Sequence, residues 1–411
     1  MGGISVYKWH DTIIVMQELD DATARCFLIN RNTNSWSEAP FTGVPQGYFW
    51  ATPTIDQDSD SVFFEQGYME NDHLVMDVLI GRMILAGNIA VQDVKKKTWI
   101  TDKKTLFGDT PQSVRLNDLG KRDWPSLGPG IIKGSDMYIP YGVAGTTVTS
   151  YSEQGPFNNG VFHSSDAGMT WEMERISNTQ AFYPSICGSK GYYYYFEEST
   201  SNKRGQGFAL CFSRKLISRG SWSAPEAVTK TVAYGANMNY IVVPVDDTIH
   251  VCWMDRRHNK WRFNPEGPPI ENDDIAYCHR KDSDSGWSSD VILSKGLLYS
   301  YAPSMSVEGN NVVVAWAGIQ TAGKWHTDYD PNDIYYVTSK DGGNTWSKPL
   351  NVTDCAKDGV TSGKPQVMLL NGVIHLFYIQ GKRESQQLSS GLTKLNQEPW
   401  PIYYTQRPFP D

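Results

Sequence analysis

Short apolar runs recur along the whole chain, each the length of one strand: TIIVMQEL, SVFFEQG, MYIPYG, YYYYFEE, TIHVCWM, NVVVAWAG and VIHLFYIQ. A Gly, Asn or Asp turn precedes each run. Before the turn lies an extended stretch, often with an early proline: TPTID, WPSLG, YPSIC, APSMS and KPQVM. The counterparts in the first and fifth repeats, SVYKW and NYIVV, lack the proline. A third strand-like segment follows the apolar run, as in DIAYCHRK and DIYYVTSK. Alternating apolar and polar positions bounded by Gly, Asn and Asp mark strands joined by tight turns. No segment of comparable length carries a helical period, so the pattern predicts an all-β protein.

Each third segment leads into a polar turn closed by tryptophan. The clearest copies are SSDAGMTWE (164–172) and SKDGGNTWS (339–347), which share S-x-D-x-G-x-T-W. Looser copies surround Trp36, Trp99, Trp222, Trp287 and Trp400. Together with Trp171 and Trp346 they form seven units with the spacing of a four-stranded propeller blade. The expected architecture is a single seven-bladed β-propeller of four-stranded antiparallel blades. Its blades span approximately 1–45, 46–108, 109–178, 179–230, 231–295, 296–353 and 354–411. In the turn, Asp and Ser side chains satisfy local backbone N–H groups, Gly takes the positive-φ position, and Trp packs outside.

This turn resembles the Asp box of the sialidase-like, bacterial-neuraminidase-repeat propellers, in which hydrolases, lyases, lectins and receptors all occur. Among them the seven-blade count is similar to uronate-glycan lyases such as rhamnose–glucuronate and ulvan lyases. Sialidases proper use an arginine triad whose first member sits in Arg-Ile-Pro. No such tripeptide occurs here, where the matching segments read ATPT, DWPS and FYPS. The resemblance implies an enzyme that cleaves an anionic, uronic-acid-containing glycan by β-elimination. The alternatives are an exo-sialidase or related glycoside hydrolase, and a lectin or adhesion propeller without catalysis.

Composition narrows the partners. The formal net charge is −8 and Lys95–Lys97 is the one short basic run, which argues against nucleic acid. No apolar run reaches membrane-spanning length. The N-terminus MGGISVYKWHD lacks a secretory profile, and Val6 breaks the myristoylation pattern. Either the chain is not exported by that route or it begins at a mature end; an extracellular protein is the expectation. The six cysteines show no CxxC pair and read as buried free thiols, with a Cys252–Cys278 disulfide as the alternative. No cofactor is expected: HxH and HExxH are absent, and structural calcium is left open.

In a four-stranded meander the second turn projects from the end opposite the third. Tryptophan turns at third positions therefore put long second-turn insertions on the other face. Four are expected: Tyr68–Val75, Val143–Asn159, Arg256–Asp273 and Ile319–Pro331. Loops this long are usually functional. First-strand starts reach the same face and bring Trp50, Arg122, Asp123, Trp124, Tyr183, Asn239, Tyr301 and Lys364. Aromatic faces there suit pyranose rings, with polar groups reading the hydroxyls. The segment WMDRRHNKWR adds Asp255, Arg256, Arg257 and His258, an anion clamp beside a titratable imidazole. GKWHTDYD adds Trp325 and His326. Glu197, Glu198, Glu65 and Glu18 end second strands and are candidate acid/base carboxylates. His10, His250, His279 and His375 lie in strand patterns and read as packing. For the uronate chemistry, Arg122, Arg256 and Arg257 would neutralise the carboxylate, while His258, His326, Tyr183 and Tyr301 would carry protons.

Overall fold

The structure is a computed structural model. It describes residues 4–10, 12–18, 24–30, 35–39, 41–42, 54–56, 59–70, 73–85, 89–102, 126–142, 159–178 and 181–200. The described part continues over 208–218, 220–228, 240–255, 273–320, 332–382, 385–387, 393–395 and 401–410.

The protein is all-β, with the seven successive antiparallel sheets of a seven-bladed β-propeller. Among the described residues, one three-residue 3₁₀ turn, Ala356–Asp358, is the sole helical element. The chain divides into two compact units. One comprises Lys8–Ile14 and Ala24–Met238; the other comprises Met1–Tyr7, Val15–Thr23 and Asn239–Asp411. The first sheet runs in sequence order through Ile4–Trp9, Thr12–Glu18, Ala24–Asn30 and Ser35–Ala39.

The unit built around 24–238 holds blades two to four. Blade two is a meander of Thr54–Ile55, Ser61–Glu70, His73–Leu85 and Ile89–Asp102, with Phe41–Thr42 parallel to its last strand. Here two expectations fail. The stretch at 68–75 is not an insertion, because Glu70 already pairs with His73. Trp99 does not close a turn either: it lies inside the last strand, opposite Met76. The physical reason is strand length. These strands run on for 10, 13 and 14 residues, so the third strand already ends at Leu85 and the fourth begins at Ile89. Glu65 accordingly sits within its strand rather than at the end.

Blade three pairs Asp136–Gly142 with Ser126–Leu127 and Ile131–Lys133 on one side and Asn159–Ser164 on the other, followed by Glu172–Ser177. Blade four runs Ala181–Gly188, Tyr192–Thr200, Phe208–Leu216 and Glu226–Ala227. Side chains alternate across each strand, so each face of a middle strand meets a different neighbouring blade. Phe63, Met76, Met137, Ile139, Tyr141 and Phe162 fill the space between blades two and three. Tyr138, Val161, Ile186, Tyr193 and Tyr195 fill the next gap. A polar knot, Glu174, closes its rim: it takes Lys215 Nζ, Trp222 Nε1 at 2.8 Å and His163 Nδ1 at 3.0 Å.

The other unit repeats the plan in blades five to seven. Blade five is Tyr240–Val245, Thr248–Asp255, Asp274–Lys281 and Val291–Ile292. Blade six is Tyr299–Glu308, Asn311–Ile319, Asp333–Ser339 and Leu350–Asn351. In blade six the run NVVVAWAGI is buried from Val312 onward. Val312, Val314 and Trp316 face the core shared with blade five, and Val313, Ala315 and Ala317 the core shared with blade seven. Two-sided burial explains a continuous apolar run, since each fully buried large side chain contributes about 2 kcal/mol.

Blade seven pairs Val360–Leu370, Val373–Lys382 and Ile402–Pro408. Trp400 precedes Ile402–Pro408, which is the third strand of its sheet and not the fourth. Between the second and third strands lies an extra hairpin, Ser385–Gln387 with Thr393–Leu395, an insertion not anticipated from the sequence. The first strands of blades six and seven are joined through side chains. Val367 N and Leu369 N donate to Ser304 Oγ and Ser306 Oγ at 2.9 and 2.8 Å, and Glu308 takes Asn371 N and Gly372 N.

The two S-x-D-x-G-x-T-W turns close alike. Gly168 N and Gly343 N donate to Ser164 Oγ and Ser339 Oγ at 2.8 and 2.9 Å. Thr170 N and Thr345 N each donate to the Asp at 2.8 Å, and each Thr hydroxyl follows at 2.6 Å. These donors hold Asp166 and Asp341 down to about 2.

All six cysteines are free thiols, Cys26, Cys187, Cys252 and Cys278 being buried. Cys278 pairs with Val251 and Cys252 with Tyr277, so the two thiols point to opposite faces of their sheet. The alternative disulfide is thereby ruled out. His250, His279 and His375 lie in strands as expected; His10 instead occupies the first turn at φ 49° and approaches Asp60 Oδ1 at 2.6 Å.

Candidate functional site

Long second connections mark one end of several blades. They span 143–158 in blade three, 256–273 in blade five and 320–332 in blade six. Most of their residues lie outside the described part, and with them Arg256, Arg257, His258, Trp325 and His326. Trp50, Arg122, Asp123, Trp124 and Asn239 also fall outside it. The structure does describe where these connections leave and re-enter the sheets.

In the unit of blades five to seven, connection 256–273 leaves from Asp255, which is fully buried and accepts Trp253 Nε1 at 2.9 Å. It returns at Asp273, buried, whose carbonyl accepts Ser300 N of blade six at 2.9 Å. Connection 320–332 returns at Asn332, also fully buried, whose carbonyl accepts Ser362 N of blade seven at 2.8 Å. Each re-entry point is thus clamped to the first strand of the next blade. The residues after them repeat a second device. Asp274 takes Ser294 Oγ at 3.1 Å, and Asp333 takes Thr353 Oγ1 at 2.8 Å together with Cys355 N and Ala356 N. These hydrogen bonds hold the Asp333 carboxyl below its ordinary value against the opposing effect of burial.

The first strands carry a shared irregularity at this end. In blades four, six and seven the register shifts across Tyr183–Pro184, Ala302–Pro303 and Lys364–Pro365. The residue before each proline has positive φ: 47° at Tyr183, 51° at Ala302 and 49° at Lys364. Positive φ is rare for residues other than glycine, and such strained positions cluster at functional sites. Bulges also re-aim side chains. Pro184, Pro303 and Pro365 therefore mark bulges, not merely strand starts.

At blade six the bulge follows Tyr301. The Tyr301 ring packs on the core shared with blade seven and lies 5.4 Å from Tyr299. Its hydroxyl accepts Asn332 Nδ2 at 2.7 Å. Lys364, half-buried, stands on the equivalent bulge of blade seven. Gly363 precedes it, and a Cβ added there would stand 3.8 Å from the Tyr301 hydroxyl. Tyr301, Asn332 and Gly363 therefore meet in one place, and Lys364 adjoins it along the chain.

In the unit of blades two to four the corresponding end is built around Tyr183 and Glu197. Tyr183 is 41% exposed, large for a strained aromatic, and its bulge lies opposite Glu197. Burial, then the Glu198 charge, push the Tyr183 hydroxyl up. Glu197 and Glu198 are both buried. Glu197 Oε2 accepts Ser177 Oγ at 2.9 Å and Tyr195 Oη at 3.1 Å. Asn159, where connection 143–158 returns, donates to that same Ser177 at 3.2 Å. Glu197 thus sits in a buried network that ties blade four to blade three.

Asn332, Asp273, Asn159 and Ser177 were not singled out in the sequence. A signal existed: Asn or Asp stands at the end of each long connection, in NN (158–159), DD (273–274) and ND (332–333). Among the described residues no three His, Cys, Asp or Glu side chains gather as for a metal ion. No described helix is long and apolar enough to cross a membrane.

No protein family matches the sequence, and no curated protein matches it. Solved structures with a similar course of chain include the β-propeller domain of the Trilobed protease from Pyrococcus furiosus. It is 7% identical over 100% of this chain and 98% of that one, with a TM-score of 0.46. The polysaccharide lyase Uly1 is 10% identical over 99% and 90%, with a TM-score of 0.49. A family PL25 ulvan lyase bound to -[GlcA(1-4)Rha3S]- is 11% identical over 92% and 82%, with a TM-score of 0.41. Likeness of this degree assigns no activity.

Proposed function

We propose that the protein acts on an anionic, uronic-acid-containing glycan, cleaving it by β-elimination at the loop end of blades five to seven. The observation that carries this reading is the Tyr301 hydroxyl, held at 2.7 Å by a buried amide where connection 320–332 re-enters the fold. Lys364 follows on the neighbouring bulge, and Arg256, Arg257, His258, Trp325 and His326 belong to the connections anchored there. A phenol, imidazoles and cations are the parts a uronate lyase needs.

In the proposed reaction a cation pairs with the uronate carboxylate and acidifies the C5 proton. His258 or His326 removes that proton. The C5–H electron pair forms the C4=C5 double bond, the C4–O bond breaks, and Tyr301 O–H protonates the departing oxygen. Trp325 and Tyr299 would stack on the sugar faces.

The experiment is incubation with uronate polysaccharides, following the ultraviolet absorbance of an unsaturated uronate. Arg256→Ala and Arg257→Ala should each lower turnover, and Tyr301→Phe should lower kcat by about 10²-fold, as loss of a general acid does. New reducing ends without absorbance would replace elimination by hydrolysis. A fluorogenic sialoside tests exo-sialidase action, and binding without turnover would make the protein a glycan-binding propeller. Full activity in both arginine variants would refute the anion clamp.

A further inference from the structure

We propose that Tyr183 is a stacking platform for a neutral pyranose, a sugar subsite built into the first strand of blade four. The inference rests on the glycan-acting reading for its ligand class, though not for its geometry. Tyr183 is 41% exposed, and its backbone has φ 47° in the bulge between Phe182 and Ser185. A bulky side chain at positive φ is a strained outlier, kept only where the surroundings dictate it. Here they do. Pro184, the next residue, is buried, and a Cβ added to Gly128 of blade three would collide with the Pro184 carbonyl oxygen. The two blades thus meet backbone to backbone at the bulge, which fixes its course whatever side chain residue 183 carries.

Blades six and seven show the same independence. Their equivalent bulges hold Ala302 at φ 51° and Lys364 at φ 49°. One backbone shape therefore carries a phenol, a methyl group and an ammonium. The bulge does not need the Tyr183 ring, and a ring this exposed adds little to the core. What tyrosine supplies at this position is an aromatic surface on a rigid support, at the end where connection 143–158 returns.

Charge selects the ligand. Glu197 and Glu198 are buried beside the bulge, which lies opposite Glu197. Burial, then the Glu198 charge, push the Tyr183 hydroxyl up, so the ring is uncharged at neutral pH. A uronate carboxylate brought here would meet like charge. A neutral pyranose meets none, and it offers apolar C–H groups to the ring and hydroxyls to polar neighbours. The subsite accordingly takes the uncharged sugar units of an anionic glycan.

Saturation-transfer NMR on the intact chain tests this, with neutral methyl pyranosides of gluco, galacto, manno and rhamno configuration as probes. At least one should bind the wild type and shift the Tyr183 ring resonances, which are assigned through Tyr183→Phe. Tyr183→Ala should fold, as the Ala302 bulge shows, and bind about 5- to 10-fold more weakly, the worth of one aromatic contact. Tyr183→Phe keeps the ring and should bind like the wild type. Binding by none of these pyranosides, unmoved Tyr183 resonances, or loss of binding in Tyr183→Phe overturns the proposal. So does unchanged binding in Tyr183→Ala; should that variant fail to fold, the wild-type resonances alone decide. If uronate glycans are cleaved but Tyr183 plays no part in binding, the subsite falls and the activity stands. If none is cleaved, the activity falls while the pyranoside titration still judges Tyr183.

Discussion

Two adjacent glycines in the turn 339–347 should respond very differently to the same substitution. Gly342 has φ 71° and Gly343 φ 93°. A Cβ at Gly342 would meet nothing within 4 Å, whereas one at Gly343 would stand 2.0 Å from the Tyr277 hydroxyl and 2.4 Å from Cζ. Tyr277 cannot yield easily. It is buried, meets His250 Nδ1 at 2.6 Å and Gly342 O at 3.2 Å, and packs edge-on to Trp346 at 4.7 Å. Gly342→Ala therefore costs only the backbone penalty, about 1 kcal/mol. The other turn supports this, because Ala167 occupies the equivalent position at φ 56°. On top of the same backbone penalty, Gly343→Ala adds overpacking of about 1–3 kcal/mol and the loss of two hydrogen bonds of about 1 kcal/mol each, for a total of roughly 4–6 kcal/mol. Denaturant unfolding of both variants, with unchanged m values, measures the difference. Tyr277→Ala should relieve the clash, so the double variant with Gly343→Ala should cost about 2 kcal/mol less than the sum of the singles. Equal losses in the two glycine variants, or additivity in the double variant, would refute the claim that Tyr277 reads this turn.

Burial, then the charge of His279, bring His250 down to about 4. A depressed base binds its proton later in the folded state than in the unfolded chain. Stability from neutral His250 is thus complete above its ordinary value of 6.5 and declines as pH falls towards about 4. Unfolding midpoints between those values should fall less steeply in His250→Phe. Asp166 and Asp341, held at about 2, should sustain stability above their ordinary 3.8 and release it as pH drops through about 2. Asp341→Asn should be destabilised at neutral pH and approach the wild type in strong acid. Glu308→Ala removes both acceptors of the Asn371–Gly372 turn and should cost about 2 kcal/mol in thermal or denaturant unfolding.

The blades were legible wherever the signal is local. Trp171, Trp222, Trp287 and Trp346 each stand just before or at the start of a short fourth strand. The runs at 136–142, 192–200, 248–255 and 311–319 are the second strands of their sheets. Reading failed at Trp99 and Trp400, where a tryptophan followed polar residues without closing a third turn. Nothing local separates KKKTW inside a long strand from a true turn, because register depends on the partner strand. The long connections of blades three, five and six could be read from length alone. The hairpin inserted in blade seven was hidden because its segments are short and polar.

What the sequence determines by itself is the repeating unit: period-two apolar strands, glycine at positive φ, and Ser and Asp side chains within four residues of the N–H groups they satisfy. Those interactions are local, so their spacing is written in the chain. The tertiary structure alone decides which distant residues meet. Asn332 reaches Tyr301 across 31 positions, Ser177 reaches Glu197 across 20, and Gly343 lies against Tyr277. The first ties a connection to the opening strand of its own blade, the other two join neighbouring blades packed face to face, and no pattern along one strand specifies which distant atoms it will touch.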